Sequence, residues 1–303
     1  MKENLTFLQQ AELFQKRGIK IENLESAANK LETISYYKLK EFAEPFNVNK
    51  NMYNLEPRYT NVSFEDIIKR YYQDKNLRIY LMHALEKIEV SFKTRLSYNL
   101  GNIGAYGYLN ESSWMDRENN YLNKKKVFQN IFEKHSKENS YKIKIDFQRG
   151  AYIKEAPSVW IFINSLTFGE TVKIYECMSK KRKREVAKYY NLDYNEFELL
   201  IKSLRLIRNL CAHNNKIIDI KYKSLPKIKD DWRNYLTNLK ESDSCHLALV
   251  ILIIKYFIDI INPLYKYSEI FKTVKSIIDG SDLNAINLGF KNKDAFNEIF
   301  RKN

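Results

Sequence analysis

Turn-forming residues are scarce. The 303-residue chain has 8 glycines and 5 prolines, too few for the frequent tight connections of a strand-rich fold, so it is expected to be all-α. Cysteine is scarcer still: Cys177, Cys211 and Cys245 form neither a CxxC pair nor an even set, which argues against a disulfide scaffold and fits a reduced, cytoplasmic protein. Their equal spacing of 34 residues is accompanied by no recurring pattern and marks no repeat. The longest apolar run, Leu247 to Ile254, has eight residues before Lys255, far below the ~20 that span a bilayer. The opening MKENLTFLQQ has no apolar signal core, so neither membrane nor export is expected. A Walker A loop, a GxGxxG turn, a GxSxG elbow and an HExxH helix are all missing, and His83, His135, His213 and His246 make no metal-binding pair. No metal or cofactor is therefore expected.

What the chain has in excess is positive charge. Lys and Arg total 51 against 37 Asp and Glu, leaving +14 at pH 7, a balance that points to a polyanion such as RNA as partner. Lys, Asn, Ile and Tyr are abundant together, a coding bias that accounts for part of this excess. The densest cationic run is Lys180-Lys181-Arg182-Lys183-Arg184. Five adjacent cations can bind RNA by displacing counterions from phosphates, or can form a solvated turn.

Hydrophobic spacing divides the chain into an N-terminal helical extension over 1–60, a helical core over 61–270 with an insertion at about 101–155, and a C-terminal helical tail over 271–303. In the extension, Thr6 caps a helix closed by Gly18, Asn23 to Ile34 resumes helical spacing, and Pro45 ends a segment carrying Tyr36 and Tyr37. That tyrosine pair reads as core in preference to an RNA-stacking platform. Ser63 and Asp66 form a capping box for a long helix whose apolar positions run from Phe64 to Phe92, with a join near Gln73 to Lys75. On or near its polar side lie Glu86, Glu89, Lys93 and Arg95; a buried Glu89 or Arg95 could orient a catalytic group on a neighbouring helix. The insertion, with its Lys124-Lys125-Lys126 run, reads as variable helices and loops. Pro157 opens a helix with Val159, Trp160, Ile163 and Leu166 facing inward, ending near Gly169.

The chemistry concentrates after Asn195. Phe197, Leu200, Ile201, Leu204, Ile207 and Cys211 recur at helical intervals and define one buried stripe. It ends in Arg208-Asn209-Leu210-Cys211-Ala212-His213. Arginine is a permanent planar cation suited to phosphate, and histidine exchanges protons near neutral pH. Cleaving a ribose phosphodiester demands those two jobs: the 2′-hydroxyl is the nucleophile, to be deprotonated while the phosphorane is stabilised and the leaving oxygen protonated. Arg205, Asn209 and His213 recur every four residues and share a helix face, whereas Arg208 and His213 diverge by about 140°. For both to act on one phosphate, the helix must loosen near His213, where Asn214-Asn215 can terminate it, or a second copy of the chain must complete the site. The bland alternative is a capping or surface histidine beside a solvent-facing arginine.

The hexapeptide resembles the Arg-X4-6-His signature of HEPN domains, in the RNxCAH form of the Abi-D/Abi-F-like abortive infection family of bacterial phage defence. The resemblance runs along the chain in order. Ile34-Ser35-Tyr36-Tyr37-Lys38-Leu39 with Pro45-Phe46 resembles that family's YYRL and PF elements, and Tyr72 to Arg78 followed by Leu85 to Val90 resembles its YxxDxxLR and IEVxxR helices. Pro157 to Trp160 with Leu166 to Gly169 resembles its PxWxxxExLSFG segment, and Leu288-Gly289-Phe290 its terminal MGF. The resemblance implies an all-α, HEPN-type helical bundle and a metal-independent endoribonuclease acting as a toxin in phage defence. It also implies kinship with the HEPN nucleases of RNA-targeting CRISPR effectors, where two such motifs form one composite site. With one motif per chain, that implies a homodimer. Some relatives are associated with non-coding RNA, which implies a regulatory RNA as a further partner. The chain departs from the family pattern at Asn214, where a second histidine is common, at Lys216 in place of Arg, and at Asn164 in place of Glu.

By this resemblance Arg208, Asn209 and His213 are the catalytic residues. His213 would be general base or acid, Arg208 would hold the scissile phosphate, and Asn209 would orient His213 or a phosphate oxygen, giving 2′,3′-cyclic phosphate and 5′-hydroxyl ends. Arg205, Lys216, Lys180, Lys181, Arg182, Lys183 and Arg184 are the candidate RNA-binding residues. The alternative function is a HEPN fold that binds RNA or acts as a scaffold without cleaving it.

Overall fold

The computed structural model describes residues 4–301 apart from 51, 53, 139–142, 147–152, 224 and 240–244. Among them are thirteen α-helices and one short β-ribbon, so the fold is all-α, as the scarcity of turn residues predicts. Three short helices open the chain: α1 (Phe7–Lys16), α2 (Leu24–Thr33) and α3 (Tyr36–Ala43). Each starts where a side-chain oxygen, on Thr6, Asn23 or Ser35, accepts a first-turn amide. The chain turns after α1 at Gly18, which has φ +97°, and any Cβ there would collide with the Tyr59 carbonyl. Tyr36 is buried with its ring 4.3 Å from that of Phe14, whereas Tyr37 is 70% exposed. Only the first of the tyrosine pair belongs to the core.

The spine of the molecule is α4 (Phe64–Gly101), which begins at the Ser63/Asp66 capping box and continues for 38 residues without a break. The join expected near Gln73 to Lys75 is absent. There Asp74 and Arg78 sit on the apolar stripe, both buried. Arg78 Nε donates to Asp74 Oδ2 at 2.8 Å, and Asp74 Oδ1 accepts the backbone N–H groups of Ile217 and Ile218 at 2.8 and 3.0 Å. The polar interruption is thus a buried ion pair that binds a distant loop, not a helix end.

The insertion contains α5 (Tyr121–Glu138) and an antiparallel ribbon of β1 (Ile143–Asp146) with β2 (Ile153–Ala156). Helices and loops alone are expected there, but the alternation Ile143-Lys144-Ile145-Asp146 has the two-residue period of a strand. Part of the insertion, 139–142 and 147–152, lies outside the described residues. Next come α6 (Val159–Ser165), α7 (Phe168–Cys177), α8 (Lys180–Lys188) and α9 (Tyr194–Ala212). Gly169 does not end a helix. Thr167 and Glu170 form a capping box that starts α7, and Gly169 lies in its first turn. Trp160, expected to face inward, is 48% exposed, because α6 buries Val159, Phe162 and Ile163 and the following position points about 100° away from Val159. Its ring covers Gly101, where a Cβ would stand 3.3 Å from Trp160 Cζ2.

The apolar run becomes α10 (Leu247–Ile261), with residues 247–254 all buried. No helix among the described residues is long and apolar enough to cross a membrane. The chain ends in α11 (Ser268–Ile278), α12 (Asp282–Asn287) and α13 (Lys293–Arg301). α4 packs against α3, α6, α7, α8, α9, α10 and α11, and one hydrophobic cluster includes residues from Ala11 to Ile299. All six predicted stripe positions of α9 are in it.

Two predictions follow from buried polar groups. Asp74→Ala leaves the Arg78 guanidinium without its carboxylate and two loop amides without an acceptor; unfolding in urea is expected to show a loss of about 3–5 kcal/mol. His246 precedes α10, and its Nδ1 accepts the Tyr222 N–H at 2.6 Å, so Nε2 carries the proton and faces the Leu239 carbonyl at 3.3 Å. Burial, aided by Lys221 and opposed by that carbonyl, holds its pKa below the usual histidine value. The unfolded chain therefore binds a proton near pH 6.5 while the native one resists it, so stability contributed by neutral His246 is present above about pH 6.5 and is lost as pH falls. Calorimetric melting between pH about 7.5 and about 5.5 is expected to show a falling Tm. His246→Asn, whose amide oxygen can accept the Tyr222 N–H, should flatten that dependence.

Candidate active site at the end of the ninth helix

The chain leaves α9 in a defined geometry. Asp193 caps its start, and at its end His213 is the capping residue with φ −96° and ψ 17°, followed by Asn214 in the left-handed region at φ 58°. The Asn215 N–H reaches back to the Leu210 carbonyl at 2.9 Å and the Asn214 N–H to that of Cys211 at 3.3 Å, the pair of bonds that closes a Schellman turn. Asn214 takes the place usually given to glycine because asparagine tolerates φ > 0. The expected termination at Asn214-Asn215 is therefore present, with His213 at the hinge.

That loop is held from two sides. Arg78 Nη1 donates to Asn214 Oδ1 at 2.8 Å, while Asp74 holds the Ile217 and Ile218 amides. From the N-terminal helices, Lys38 Nζ donates to the Asn214 carbonyl at 2.6 Å, and Lys216 Nζ donates to the Glu41 carbonyl at 2.7 Å. Lys216 also pairs with Asp219 at 2.7 Å, and Asp219 with Arg70 at 2.6 Å. Burial raises the Asp219 carboxyl, but Arg70 and Lys216 hold it below the ordinary carboxylate range.

His213 is exposed, and its ring makes no hydrogen bond among the described residues. The other three histidines are engaged: His83 with the Tyr265 hydroxyl, His135 with Glu170 and His246 as described above. Arg208 lies on a different side of α9. Its Nε faces Glu89 Oε2 of α4 at 3.6 Å without forming a hydrogen bond, and its side chain is 30% exposed. The other Glu89 oxygen pairs with Lys93 at 3.0 Å. Glu89 thus anchors the arginine stem, while the terminal guanidinium nitrogens make no hydrogen bond among the described residues. Asn209 is exposed and meets Arg205 in a cavity of about 360 Å³ against α7. Arg205 and Asn209 are therefore together, as their four-residue spacing predicts, whereas Arg208 and His213 make no hydrogen bond with each other among the described residues. Cys211 takes no part, since burial, with Asp74 adding to it, pushes its thiol up to about 12.

The basic run lies elsewhere. It forms the first turn of α8, and Lys183 pairs with Glu198 at 2.7 Å near the opposite end of α9. The fifteen positions from Glu198 to His213 span about 22 Å of helix, so the run and His213 cannot grip the same phosphate. Two of its cations are turned inward, Lys183 to Glu198 and Arg182 to the Asn99 carbonyl at 3.0 Å. Lys180 pairs with Glu118 at 3.1 Å and Arg184 lies over the Tyr194 ring, while Lys181 is exposed. Lys216, which pairs with Asp219 in the loop and reaches the Glu41 carbonyl of α3, is a fastener first.

The residues that sequence reasoning passed over are Asp74 and Arg78, and the signal for them was present. Ile67, Tyr71, Asp74, Arg78, Leu81 and Leu85 continue one helical stripe, and a charged pair at core positions four apart marks a buried network. Among the described residues, no group of three or more His, Cys, Asp or Glu could hold a metal ion. No curated protein and no solved structure matches the chain. The sequence pattern of the Abi-like protein family matches residues 29–219, more than half the chain, from α2 through the Asp74–Arg78 pair and the Arg208–His213 segment to Asp219. The chain is therefore a member of the Abi-like protein family, and its role lies in abortive infection, a form of phage defence.

Proposed function

We propose that this protein is an endoribonuclease whose active site lies at the end of α9, and that phage defence by RNA cleavage is its work. The observation that carries this reading is His213: the one histidine with a free ring, exposed at the helix hinge, on a loop clamped by a buried ion pair. A proton-transfer group needs an open ring and a fixed backbone, and His213 has both. Arg208, braced by Glu89, supplies a cation for the scissile phosphate and its developing charge. Asn209, with no partner for its amide among the described residues, can hold a phosphate oxygen.

The reaction needs one group to take the 2′-hydroxyl proton and another to give a proton to the departing 5′-oxygen. The 2′-oxygen bonds to phosphorus as the 5′-oxygen leaves, giving a cyclic phosphate and a 5′-hydroxyl. Each chain offers one such histidine, so the second comes from a second copy. Two further features support a homodimer. Arg208 and His213 face apart on α9, and Leu199 and Leu206, 48% and 42% exposed, lie at seven-residue intervals on the face that continues to His213. Apolar side chains on that face fit a self-complementary contact beside the site. The regulatory RNA implied by the family resemblance has no separate support in the geometry, and the non-cleaving alternative is decided by the same assay.

Incubated with mixed RNA in chelator, the wild-type protein is expected to leave 2′,3′-cyclic phosphate ends detectable by mass spectrometry. His213→Ala should lower the rate by about 10²–10⁴-fold, and Arg208→Ala by about 10²–10³-fold. Retention of full activity by His213→Ala, or RNA binding without cleavage by the wild type, would remove the assignment. Leu199→Asp should convert a dimer to a monomer by light scattering and abolish cleavage together; an active wild-type monomer would refute the two-copy site.

A further inference from the structure

The cavity of about 360 Å³ between α7 and α9 is lined by Thr167, Gly169, Glu170, Lys173, Arg205, Leu206 and Asn209. Two of its charges are available. Arg205 and Lys173 make no ion pair or hydrogen bond among the described residues, whereas Arg78, Lys93, Lys183, Lys202 and Lys216 are each engaged with a carboxylate. The one acid in the wall is already satisfied. Burial raises the Glu170 carboxyl, but the Thr167 amide and hydroxyl, Lys134 and His135 bring it down to about 2. Its charge is thus neutralised from behind, and the open side of the cavity is left to two free cations.

The cavity is also joined to the active site. Asn209 belongs to both, one helical turn before His213, a step of about 6 Å along the axis. Gly169 faces the Arg205 stem, with the position of a Cβ 3.7 Å from Arg205 Cδ, so the absence of a side chain there keeps the mouth clear. The positive end of α7 adds to the same field.

Building on the ribonuclease reading, we propose that this cavity binds the RNA backbone phosphate adjacent to the scissile one. Arg205 and Lys173 are its two cations and Asn209 bridges the adjacent and scissile positions. The substrate is accordingly single-stranded RNA that runs along the outer face of α9 toward α7, and the enzyme needs a flanking phosphate for tight binding. The basic run of α8, about 22 Å from His213 along the helix, contributes only to strands several nucleotides longer.

Binding of an uncleavable 2′-O-methyl oligonucleotide tests the cavity separately from the chemistry. Arg205→Ala and Lys173→Ala are each expected to weaken binding about tenfold and to lower the salt slope by about one, the signature of a lost phosphate contact. Neither cation has an ion pair or hydrogen bond among the described residues, so both variants should melt with the wild type. In cleavage assays KM should rise on an oligonucleotide with kcat within about twofold, and a dinucleotide, which has only the scissile phosphate, should be cut equally by variants and wild type. Unchanged affinity and salt slope in both variants overturns the proposal, as does an equal loss on the dinucleotide. If the wild type cleaves nothing yet both variants lose oligonucleotide affinity and salt slope, the ribonuclease reading falls while the cavity stands as an RNA-backbone site.

Discussion

Everything near the site depends on the buried pair of Asp74 and Arg78 in the middle of α4. An ion pair removed from water is costly, and a hydrophobic substitute of equal volume is often as stable or more so. What such a pair supplies is direction. Asp74 spends one oxygen on Arg78 and the other on two consecutive amides, and Arg78 spends its remaining reach on the Asn214 side chain. Apolar contacts would have tolerated the loop after α9 in many positions, but these hydrogen bonds admit one. The backbone of His213 is fixed while its ring stays open.

The N-terminal helices fasten the same loop from outside. Lys38 and Lys216 exchange bonds across the boundary, one from α3 to the Asn214 carbonyl and one from the loop to the Glu41 carbonyl, and both lie over the Phe42 ring. Exposed ion pairs contribute little to stability, but these lysines end on carbonyl oxygens at the termini of two elements. Asn214, a departure from the family pattern, takes part in both arrangements. Its left-handed backbone ends the helix and its side chain accepts from Arg78, so this residue acts as a structural joint.

The pattern of the sequence carried the features that depend on local chemistry. The α9 stripe, the Thr6 cap, the Ser63 capping box and the helix end after His213 all follow from spacing and from side chains that bond their own backbone. The failures are tertiary. Asp74 and Arg78 looked like a helix join because their partners are 136 to 144 residues away. Gly169 looked like a terminator because glycine often is one, yet the Thr167/Glu170 box that brackets it restarted the helix. Trp160 was grouped with Val159, Ile163 and Leu166 on one inward face, but a seven-residue helix buries a narrower one. The run of five cations looked like one unit, whereas a helix distributes five consecutive residues around its whole circumference.

That last point governs how the +14 charge is to be read. A formal excess says little about a partner until paired cations are separated from free ones, because a carboxylate within reach neutralises a lysine as completely as a phosphate would. By that criterion Arg205 of α9 and Lys173 of α7, which pair with no carboxylate among the described residues, count for more than the paired Lys183, Lys202 and Lys216. If two copies meet along that surface, each brings one free histidine and one braced arginine to a shared axis, and the isologous geometry makes the two halves equivalent. A site divided in this way has no activity in an isolated chain. The activity proposed for it would then scale with association, so concentration itself would restrain it until the chains accumulate. On the proposed reading of an enzyme that cleaves RNA, that restraint would follow from the geometry of a single helix end.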